Sequence, residues 1–581
     1  MKKERKILRL ALAQINPTVG DLSGNVKKIN SFITKAKDSD VDIIVFPEQV
    51  VPGYPAEDLL LKKQFVNDNK RALRKVVENT SGIVAIVGNL KSYKDTLYNS
   101  ACVMSDRKIH GCYNKMFLPN YGVFDEKRYF DKGEEHCIFL KNNVPIGINI
   151  CEDLWVEKGS TNVLARCGAQ LVINLSASPY HLKKKKERED LFRSKALSYK
   201  VNVVYVNMVG GQDEILFDGA SVAIDKSGKV IASAKQFEED LVIFDMEFQK
   251  TSSMTEVKKR AKGHPVNVVK LEGHEKGTER APLTPVIQKQ MREEKEIYSA
   301  LVLGTRDYVK KNGFQKVVLG ISGGIDSSLV ASIAVDALGP DNVIGVFMPS
   351  RYTSDESKKD AEELATNLKI KLHTVPIDHI FGVYLKEMRS FFAGKKANIA
   401  EENIQARIRG NLLMAFSNKL GWLVLTTGNK SEMSVGYCTL YGDMAGGFAI
   451  IKDVLKERVY KLSLFVNMYK GYNIIPVNVI RKEPTAELRA NQKDSDSLPQ
   501  YSSLDPILKN YIEKNKSHKD LFKMGFEKRT AMRMMNLVDS NEYKRRQAPP
   551  GIKISPLAFG RDRRYPITNK YRIKGNSKSH F

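Results

Sequence analysis

The sequence of 581 residues is poor in cysteine and tryptophan and contains no long hydrophobic run. Its six cysteines are too few for a disulfide scaffold, and none belongs to a CxxC pair or to a cysteine–histidine spacing suited to zinc. No apolar run approaches the ~20 residues needed to span a bilayer, and the basic N-terminus lacks the apolar core of a signal peptide. These absences predict a cytoplasmic protein in a reducing compartment, with no membrane partner.

Acidic residues are outnumbered by basic ones, so the chain carries a net charge of +26. Such an excess suggests anionic partners, namely nucleic acid, nucleotides or a membrane face. The excess is uneven, because residues 544–581 contain eleven Lys or Arg and one acid, and Lys183–Lys186 is a run of four lysines. A solvated basic surface is the alternative explanation for both runs.

Two parts of the chain differ in pattern and are separated by a polar stretch. Residues 7–249 alternate short β-branched runs with amphipathic stretches, which is typical of a layered α/β or α+β domain. Residues 251–285 are polar and contain several Gly and Pro, whereas strands from Val317 onward alternate with helical stretches and favour a doubly wound parallel sheet. We therefore predict domains at 1–250 and 286–581, with a connector at 251–285.

Three polar residues of the first domain lie next to apolar strands. Glu48 follows one apolar run, Lys115 lies between apolar neighbours, and Cys151 follows another apolar run. A carboxylate can accept the thiol proton, and an ammonium can lower the thiol pKa and stabilise an oxyanion. The three residues therefore suit amide hydrolysis through a thioester. Taken singly, each has a simpler explanation, because a lone cysteine is most often a core residue and a lone charge a surface residue.

The segments around these residues, Phe46–Glu48, Asn114–Lys115 and Ile150–Asp153, resemble the nitrilase superfamily with its Glu-Lys-Cys triad. The resemblance implies a four-layer α-β-β-α sandwich. It also implies Glu126 as a second glutamate near the triad. In glutamine-hydrolysing members, the matching residues that would hold glutamine are Tyr121, Glu152, Ser178 and Lys184.

In the second domain, a predicted helical stretch at 286–312 is followed by a strand, a Gly/Ser-rich loop and the start of another helix. Backbone N–H groups of such a loop and of a helix N-terminus form an anion-binding nest. The loop is not a Walker A motif, because no Gly-Lys-Ser/Thr follows. It resembles the SGGxDS signature of the N-type ATP pyrophosphatases, which implies ATP contacts by Gly320, Ile321, Ser322, Gly323, Gly324, Ile325, Asp326 and Ser327. Asp326 is also suited to hold Mg²⁺ across the phosphates.

Further segments of the second domain resemble NAD synthetases. The resemblance implies ATP contacts by Thr427, Lys456 and Thr485, and magnesium ligation by Asp326 and Glu432. It implies deamido-NAD contacts by Asn403, Arg407, Glu432 and Lys544. The chain departs from the ammonia-dependent members at Leu440, where those members carry a lysine. The loop 349–355 resembles a mobile loop that covers the site, although an ordinary polar loop is an alternative.

Both halves together resemble the glutamine-dependent NAD synthetases. This resemblance implies an ATP-driven amidation of deamido-NAD to NAD, with glutamine, ATP and deamido-NAD as small-molecule partners and a homo-oligomeric assembly. Three alternatives remain: an adenylating tRNA modifier, an amidase half that serves only as a binding module, and a different acid acceptor. The second domain has only Cys438 and no cysteine pair, which argues against a thiolating RNA enzyme and against a nucleic-acid partner.

Overall fold

The structure is a computed structural model that describes residues 6–248, 252–271, 280–281, 283–284 and 286–573. The chain divides into two compact units. The first comprises Met1–Gln212 and Leu216–Gln290, and the second comprises Asp213–Ile215 and Met291–Phe581.

Strands dominate the described chain up to residue 270. They are β1 (Lys6–Gln14), β2 (Ile43–Val45), β3 (Val84–Tyr93), β4 (Thr96–Ser105), β5 (Lys108–Asn114), β6 (His136–Lys141), β7 (Val144–Ile150), β8 (Leu171–Ser176), β9 (Asn202–Asn207), β10 (Val209–Gln212), β11 (Ile215–Asp218), β12 (Val222–Ile224), β13 (Val230–Ser233), β14 (Asp240–Phe248) and β15 (Val266–Lys270). The helices are α1 (Leu22–Asp38), α2 (Lys63–Val77), α3 (Ser160–Arg166), α4 (Lys184–Tyr199) and α5 (Met254–Ala261). Short 3₁₀ turns lie at Glu57–Leu61, Glu126–Arg128 and Cys151–Leu154.

Thirteen of these strands form two large sheets that pack face to face, and β10 and β11 form a separate two-stranded sheet. One has six strands in the order β14-β1-β2-β3-β4-β5, and the other has seven in the order β13-β12-β9-β8-β7-β6-β15. The alternation of strand side chains produces the layers: Leu8, Leu10 and Leu12 of β1 face the core between the sheets. Ala11 and Ala13 of the same strand face α1 and α2 on the outside.

A third core lies between the second sheet and the helices α3, α4 and α5. Two sheets with a helical layer on each outer face make the four-layer α-β-β-α sandwich, so the predicted fold of this half is confirmed.

The segment 251–285 differs from the predicted connector. Its described part contains α5 and then β15, which pairs in parallel with β6 at the edge of the seven-stranded sheet. Val257 and Val268 pack in the core beneath this sheet. The glycine and proline at 263 and 265 mark the turn between a helix and a strand, and a five-residue strand is too short for its periodicity to distinguish it from a loop. Residues 272–279 lie outside the described residues.

The second unit is built on a smaller sheet with many helices. Its strands are β16 (Val317–Gly320), β17 (Val343–Phe347), β18 (Lys371–Thr374), β19 (Leu423–Thr426) and β20 (Phe448–Ala449). Its helices are α6 (Glu293–Lys311), α7 (Ile325–Leu338), α8 (Asp355–Leu368), α9 (Asp378–Glu387), α10 (Arg389–Phe392), α11 (Ile399–Leu420), α12 (Lys430–Val435), α13 (Lys456–Lys470), α14 (Val477–Arg481), α15 (Tyr501–Leu508), α16 (His518–Lys523), α17 (Lys528–Ser540) and α18 (Glu542–Arg545). A π-helical turn spans Lys509–Glu513.

This sheet is parallel throughout, in the order β18-β17-β16-β19-β20. The strand order reverses between β16 and β19. In open α/β sheets the ligand site lies at the carboxyl ends of the strands at such a switch point. The predicted doubly wound parallel sheet is therefore confirmed, and its topology points to the loops that follow β16 and β19 as the site.

Two cysteines are joined in the structure. Cys102 of β4 and Cys112 of β5 are register partners and form a disulfide, whereas Cys137, Cys151, Cys167 and Cys438 are free. None of the helices in the described ranges combines the length and the apolar character that a membrane span requires.

Candidate active sites

The three residues proposed for amide hydrolysis lie at strand ends of the first unit. Glu48 lies shortly after β2, Lys115 directly after β5, and Cys151 directly after β7. All three side chains are buried, and Lys115 is completely enclosed. Glu48 and Lys115 are therefore not surface residues. Charged side chains are almost never fully buried unless they are paired, so the burial of these two also indicates that they interact.

The carboxylate of Glu48 accepts three hydrogen bonds. Lys115 Nζ and Asn99 Nδ2 donate to Oε1 at 2.8 and 2.7 Å, and the backbone N–H of Ala177 donates to Oε2 at 2.9 Å. These donors come from β4, the segment after β5 and the segment after β8, so both sheets contribute to fixing the carboxylate. A base held in one orientation is suited to accept a proton from a neighbouring thiol.

Lys115 contacts a second carboxylate as well. Its ammonium donates to Glu126 Oε1 at 2.8 Å, and the hydroxyl of Tyr54 donates to the same oxygen at 3.0 Å. Burial opposes protonation of Lys115, but Glu126 and Glu48 together raise its pKa well above the ordinary value. Burial is also the main reason that the pKa of Glu126 rises to about 7. The structure thus places Glu126 beside the triad lysine.

Cys151 begins the 3₁₀ turn Cys151–Leu154 with a φ of +43°, in the left-handed region that few residues other than glycine adopt. Such a backbone places the thiol at a sharp turn after β7, and strain of this kind is typical of functional sites. Burial raises the thiol pKa above its ordinary value, Glu48 adds to the rise, and Lys115 opposes it. The effect of Lys115 on the thiol pKa is therefore smaller than the effect of burial. The thiol needs a base to become a nucleophile.

The residues proposed to hold glutamine are partly brought together. The hydroxyl of Tyr121 donates to Glu152 Oε2 at 2.9 Å. The ammonium of Lys184 lies 4.2 Å from the ring centroid of Trp155, which directly follows the turn of Cys151. Ser178 is buried and its backbone N–H donates to Asn207 at 2.8 Å.

In the second unit, the predicted anion loop connects β16 to α7. Gly323 has a φ of +77°, and a Cβ atom on it would lie 2.3 Å from the carbonyl oxygen of Ser357, so only glycine fits. Ser327 Oγ donates to the carbonyl oxygen of Gly324 at 3.0 Å and accepts from the backbone N–H of Ser322 at 3.3 Å. Hydrogen bonds within the loop therefore fix its conformation. The loop leads into the N-terminus of a 14-residue helix, where the helix dipole favours an anion.

A cavity of about 310 Å³ opens beside this loop. It lies at the ends of β16, β17 and β19, as the switch point predicts. Among its lining residues are the predicted ATP contacts Gly320, Ile321, Ser322, Gly324, Ile325, Asp326, Ser327, Thr427, Lys456 and Thr485, together with Glu432. Thr485 also donates to the carbonyl oxygen of Gln492 at 2.6 Å.

The two carboxylates expected to ligate magnesium face one lysine in this cavity. Lys456 Nζ donates to Glu432 Oε1 at 3.0 Å and to Asp326 Oδ2, while Asn429 Nδ2 donates to Asp326 Oδ1 at 3.0 Å. Burial raises the pKa of Glu432 to about 8, with Lys456 opposing the rise and Asp326 adding to it. Despite its burial, the two carboxylates raise the pKa of Lys456 above its ordinary value.

Within the described ranges, no three His, Cys, Asp or Glu side chains are grouped to hold a metal ion. Two carboxylates with a neighbouring amide nevertheless fit Mg²⁺, because this ion is commonly bound through one or two carboxylates and completes its octahedron with phosphate oxygens and water.

Three predicted deamido-NAD residues converge on the stretch 436–440. Asn403 accepts a hydrogen bond from Thr439 at 2.8 Å, and Arg407 Nε donates to the carbonyl oxygen of Leu440 at 3.2 Å. Lys544 donates to the carbonyl oxygens of Gly436 and Cys438 at 2.7 and 2.9 Å. Leu440 thus takes part in this contact through its backbone carbonyl oxygen. Cys438 also lines the cavity beside the loop Gly320–Ser327, so the stretch reaches this cavity.

The loop 349–355 is held by a residue that the sequence reading did not single out. Glu487 accepts hydrogen bonds from Ser354 Oγ and Ser357 Oγ at 2.7 and 2.9 Å, and it also lines the cavity. Ser354 caps the N-terminus of α8. The loop therefore ends at a contact with the segment that carries Thr485.

Sequence reasoning missed other residues of these sites. Asn99 orients Glu48, while Asp494 and Arg409 line the cavity of the second unit. Asp494 accepts hydrogen bonds from Tyr501 and Tyr437 at 2.9 and 3.3 Å. Arg409 lies two residues after the predicted contact Arg407, but its position at the cavity depends on the packing of α11 against β16, which the sequence alone does not reveal.

The fold and the two sites define a class of enzyme that combines a nitrilase-type amidase with an ATP-dependent synthetase in one chain. Family models agree with this division. A carbon-nitrogen hydrolase model matches residues 9–256, and an NAD synthase model matches residues 297–548.

Full-length relatives narrow the class. A glutamine-dependent NAD(+) synthetase of Thermotoga maritima is 48% identical over 576 residues, covering 98% of this chain and 99% of the relative. One from Aquifex aeolicus is 46% identical and covers 97% of this chain and 100% of the relative. The structure of a glutamine-dependent NAD+ synthetase from Acinetobacter baumannii in complex with ADP has a TM-score of 0.75 and 40% identity, covering 97% of this chain and 99% of that chain. The chain belongs to the glutamine-dependent NAD(+) synthetase family.

Proposed function

We propose that the protein makes NAD from deamido-NAD, using ATP for activation and glutamine as the nitrogen donor, and releases AMP, pyrophosphate and glutamate. The observation that carries this proposal is the buried ion pair of Lys115 with Glu48 beside Cys151. The other unit of the same chain contains a glycine-rich anion-binding loop that lines a cavity. An amidase supplies ammonia and an adenylating site supplies an activated carboxyl group. Their products combine to form an amide.

In the glutaminase reaction, Glu48 accepts the proton of Cys151, and the thiolate attacks the amide carbon of glutamine. Lys115 stabilises the negative oxygen of the tetrahedral intermediate. When the C–N bond breaks, the proton returns to the leaving nitrogen and ammonia departs. A water molecule that loses its proton to Glu48 then hydrolyses the thioester and releases glutamate. Tyr121, Glu152, Ser178 and Lys184 hold the glutamine.

In the synthetase reaction, a carboxylate oxygen of deamido-NAD attacks the α-phosphorus of ATP, and pyrophosphate leaves. The loop Gly320–Ser327 and the N-terminus of α7 hold the phosphates, with Thr427, Lys456 and Thr485 as further contacts. Ammonia then attacks the acyl carbon, and AMP leaves. Asn403, Arg407, Glu432 and Lys544 contact the dinucleotide.

Magnesium would be held by Asp326 and Glu432. When bound, the ion neutralises charge that develops on the phosphates. We further propose that residues 1–250 carry the glutaminase and 286–581 the synthetase, and that the protein is a cytoplasmic homo-oligomer. Light scattering of the purified protein would measure its oligomeric state.

The deciding experiment compares two nitrogen donors. Wild type and Cys151→Ala are incubated with Mg-ATP and deamido-NAD plus either glutamine or ammonium chloride, and NAD and AMP are separated by chromatography. Wild type is expected to make NAD from both donors, and Cys151→Ala from ammonium alone. Cys167→Ala is the matched control, because Cys167 is a free, buried cysteine of the same unit that packs between helix and sheet.

Two outcomes would contradict the proposal. If Cys151→Ala still makes NAD from glutamine, Cys151 is not the nucleophile of glutamine hydrolysis. Glutamine hydrolysis without NAD formation from either donor would show that the acceptor is wrong, and other carboxylic acids or tRNA would then be tested.

A further inference from the structure

Asp153, two residues after the nucleophile, is buried and receives hydrogen bonds from two separate segments, the end of β7 and the stretch 113–117. Oδ2 accepts from the backbone N–H of Ile150 at 2.9 Å and from the hydroxyl of Tyr113 at 2.7 Å. Oδ1 accepts from the backbone N–H groups of Phe117 and Met116 at 2.9 and 3.2 Å. The side chain is completely enclosed. This one carboxylate therefore accepts four hydrogen bonds.

These donors surround the two residues that must act together. Ile150 and Asp153 flank Cys151, whereas Tyr113 and Met116 flank Lys115. The nucleophile follows β7 of the seven-stranded sheet, and the lysine follows β5 of the six-stranded sheet. Apolar packing between the two sheets is not directional. A directional contact is therefore needed to set the position of one catalytic residue against the other.

The backbone of Cys151 gives a second reason for such a contact. A φ of +43° is unfavourable for cysteine and persists only where the surroundings impose it. Asp153 accepts from the N–H immediately before this residue, so it closes the turn around the strained position. Because all four partners of Asp153 are donors, the ionised carboxylate is the form that satisfies them, although burial raises its pKa to about 6.

We propose that Asp153 is a positioning residue for glutamine hydrolysis, which holds the Cys151 turn against the Lys115 segment through its four hydrogen bonds. It does not touch the substrate. This inference rests on the proposed function of Cys151 as the glutaminase nucleophile.

The principal test is Asp153→Asn, which keeps the size of the side chain but replaces one acceptor oxygen with a donor. If the remaining oxygen faces Met116 and Phe117, the new amide group opposes the N–H of Ile150. A displacement of about 1 Å can cost up to about 100-fold in rate. We expect the kcat of glutamine hydrolysis to fall at least about tenfold while KM changes less than about threefold. Alkylation of Cys151 by iodoacetamide, followed by peptide mass spectrometry, should slow in parallel.

Circular dichroism and the thermal midpoint report whether the variant chain is still folded. Ammonium-driven NAD formation, which is assigned to the second unit, should stay near the wild-type rate. Asp42→Asn is the matched control. Asp42 is also a buried carboxylate that accepts from a backbone N–H, that of Arg9 at 2.8 Å, and it pairs with Arg280, but it contacts none of the catalytic residues. This variant is expected to keep its kcat.

Tyr113→Phe provides a milder test if Asp153→Asn does not fold, because it removes a single donor to the same carboxylate. We expect a loss in kcat of about threefold to tenfold with KM unchanged. Unchanged kcat and alkylation rate in the folded variants, or an equal loss in Asp42→Asn, would overturn the inference. Continued hydrolysis by Cys151→Ala would instead overturn the proposed function, so the two failures are distinguishable.

Discussion

Lys456 forms an ion pair of 3.0 Å with Glu432 and a second ion pair with Asp326. Its ammonium therefore lies between the two carboxylates proposed to bind magnesium. A positive charge at this point balances two largely buried negative charges, which would otherwise be costly to desolvate. The same charge faces the cavity in which the phosphates of ATP are proposed to bind.

Replacing Lys456 by Met should impair the synthetase reaction while leaving the glutaminase reaction intact. The variant leaves Asp326 and Glu432 without their cation and removes a contact to the phosphates. We expect kcat/KM for ATP to fall about 100-fold, as for the loss of one group that stabilises developing charge. AMP formation with ammonium chloride as donor measures the effect. Lys461→Met, an exposed lysine on the same helix, should behave as wild type; if it loses as much activity, the effect is not specific to Lys456.

Gly323→Ala should abolish NAD formation from both nitrogen donors. The new Cβ would lie 2.3 Å from the carbonyl oxygen of Ser357, and the loop would have to move away from α8. Glutamine hydrolysis should persist. Gly313→Ala is a matched control. Gly313 has a similar φ of +81°, but apart from its two chain neighbours no residue comes within 4 Å of the position that a Cβ would take there. It should cost about 1 kcal/mol of stability without loss of synthesis, and equal activity of the two variants would contradict the steric argument.

Glu126→Gln should change how stability depends on pH. Burial raises the pKa of Glu126 to about 7, above the ordinary glutamate value near 4.5. Between these two values the unfolded chain loses the proton while the folded chain keeps it, so ionisation favours unfolding as pH rises. We expect the thermal midpoint of wild type to fall relative to Glu126→Gln from about pH 5 to pH 7 and then to level off. Glu134→Gln, at an exposed position, should show no such difference. A constant difference between wild type and Glu126→Gln over this range would contradict the raised pKa.

Removal of magnesium should separate the two reactions. EDTA is expected to stop NAD and AMP formation with either nitrogen donor, because Asp326 and Glu432 would then lack the ion that neutralises the phosphates. Glutamine hydrolysis should continue, since its proposed residues include no magnesium ligand. Excess Mg²⁺ should restore synthesis. NAD synthesis that continues in EDTA would contradict the proposed magnesium site. Loss of glutamine hydrolysis in EDTA would contradict the prediction that this reaction does not need the metal.

Much of both sites could be predicted because the chemistry lies in short contiguous motifs. Glu48, Lys115 and Cys151 each lie close to the end of a strand, and the loop from Gly320 to Ser327 combines strand, anion nest and helix start in one segment. Local sequence is sufficient for such features, since the strand end and the reactive residue are neighbours in the chain. The layered first half and the parallel sheet of the second were predictable from strand and helix alternation, together with the family resemblance.

Contacts between distant segments were not predictable in the same way. Asn99 reaches Glu48, and Glu487 holds Ser354, only because strands and helices far apart in sequence pack together. The role of 251–285 also depended on tertiary pairing, because β15 is recognisable as a strand only when β6 is beside it.

The sequence by itself determined which reactive groups are present and where along the chain they lie: a thiol, a carboxylate and an ammonium at strand ends, and a glycine-rich loop before a helix. Only the tertiary structure decided their electrostatic state. Burial raises the pKa of the Cys151 thiol despite Lys115, and it enforces the pairing of Lys456 with Asp326 and Glu432. Burial depends on what the rest of the chain excludes from water, and no single segment contains that information.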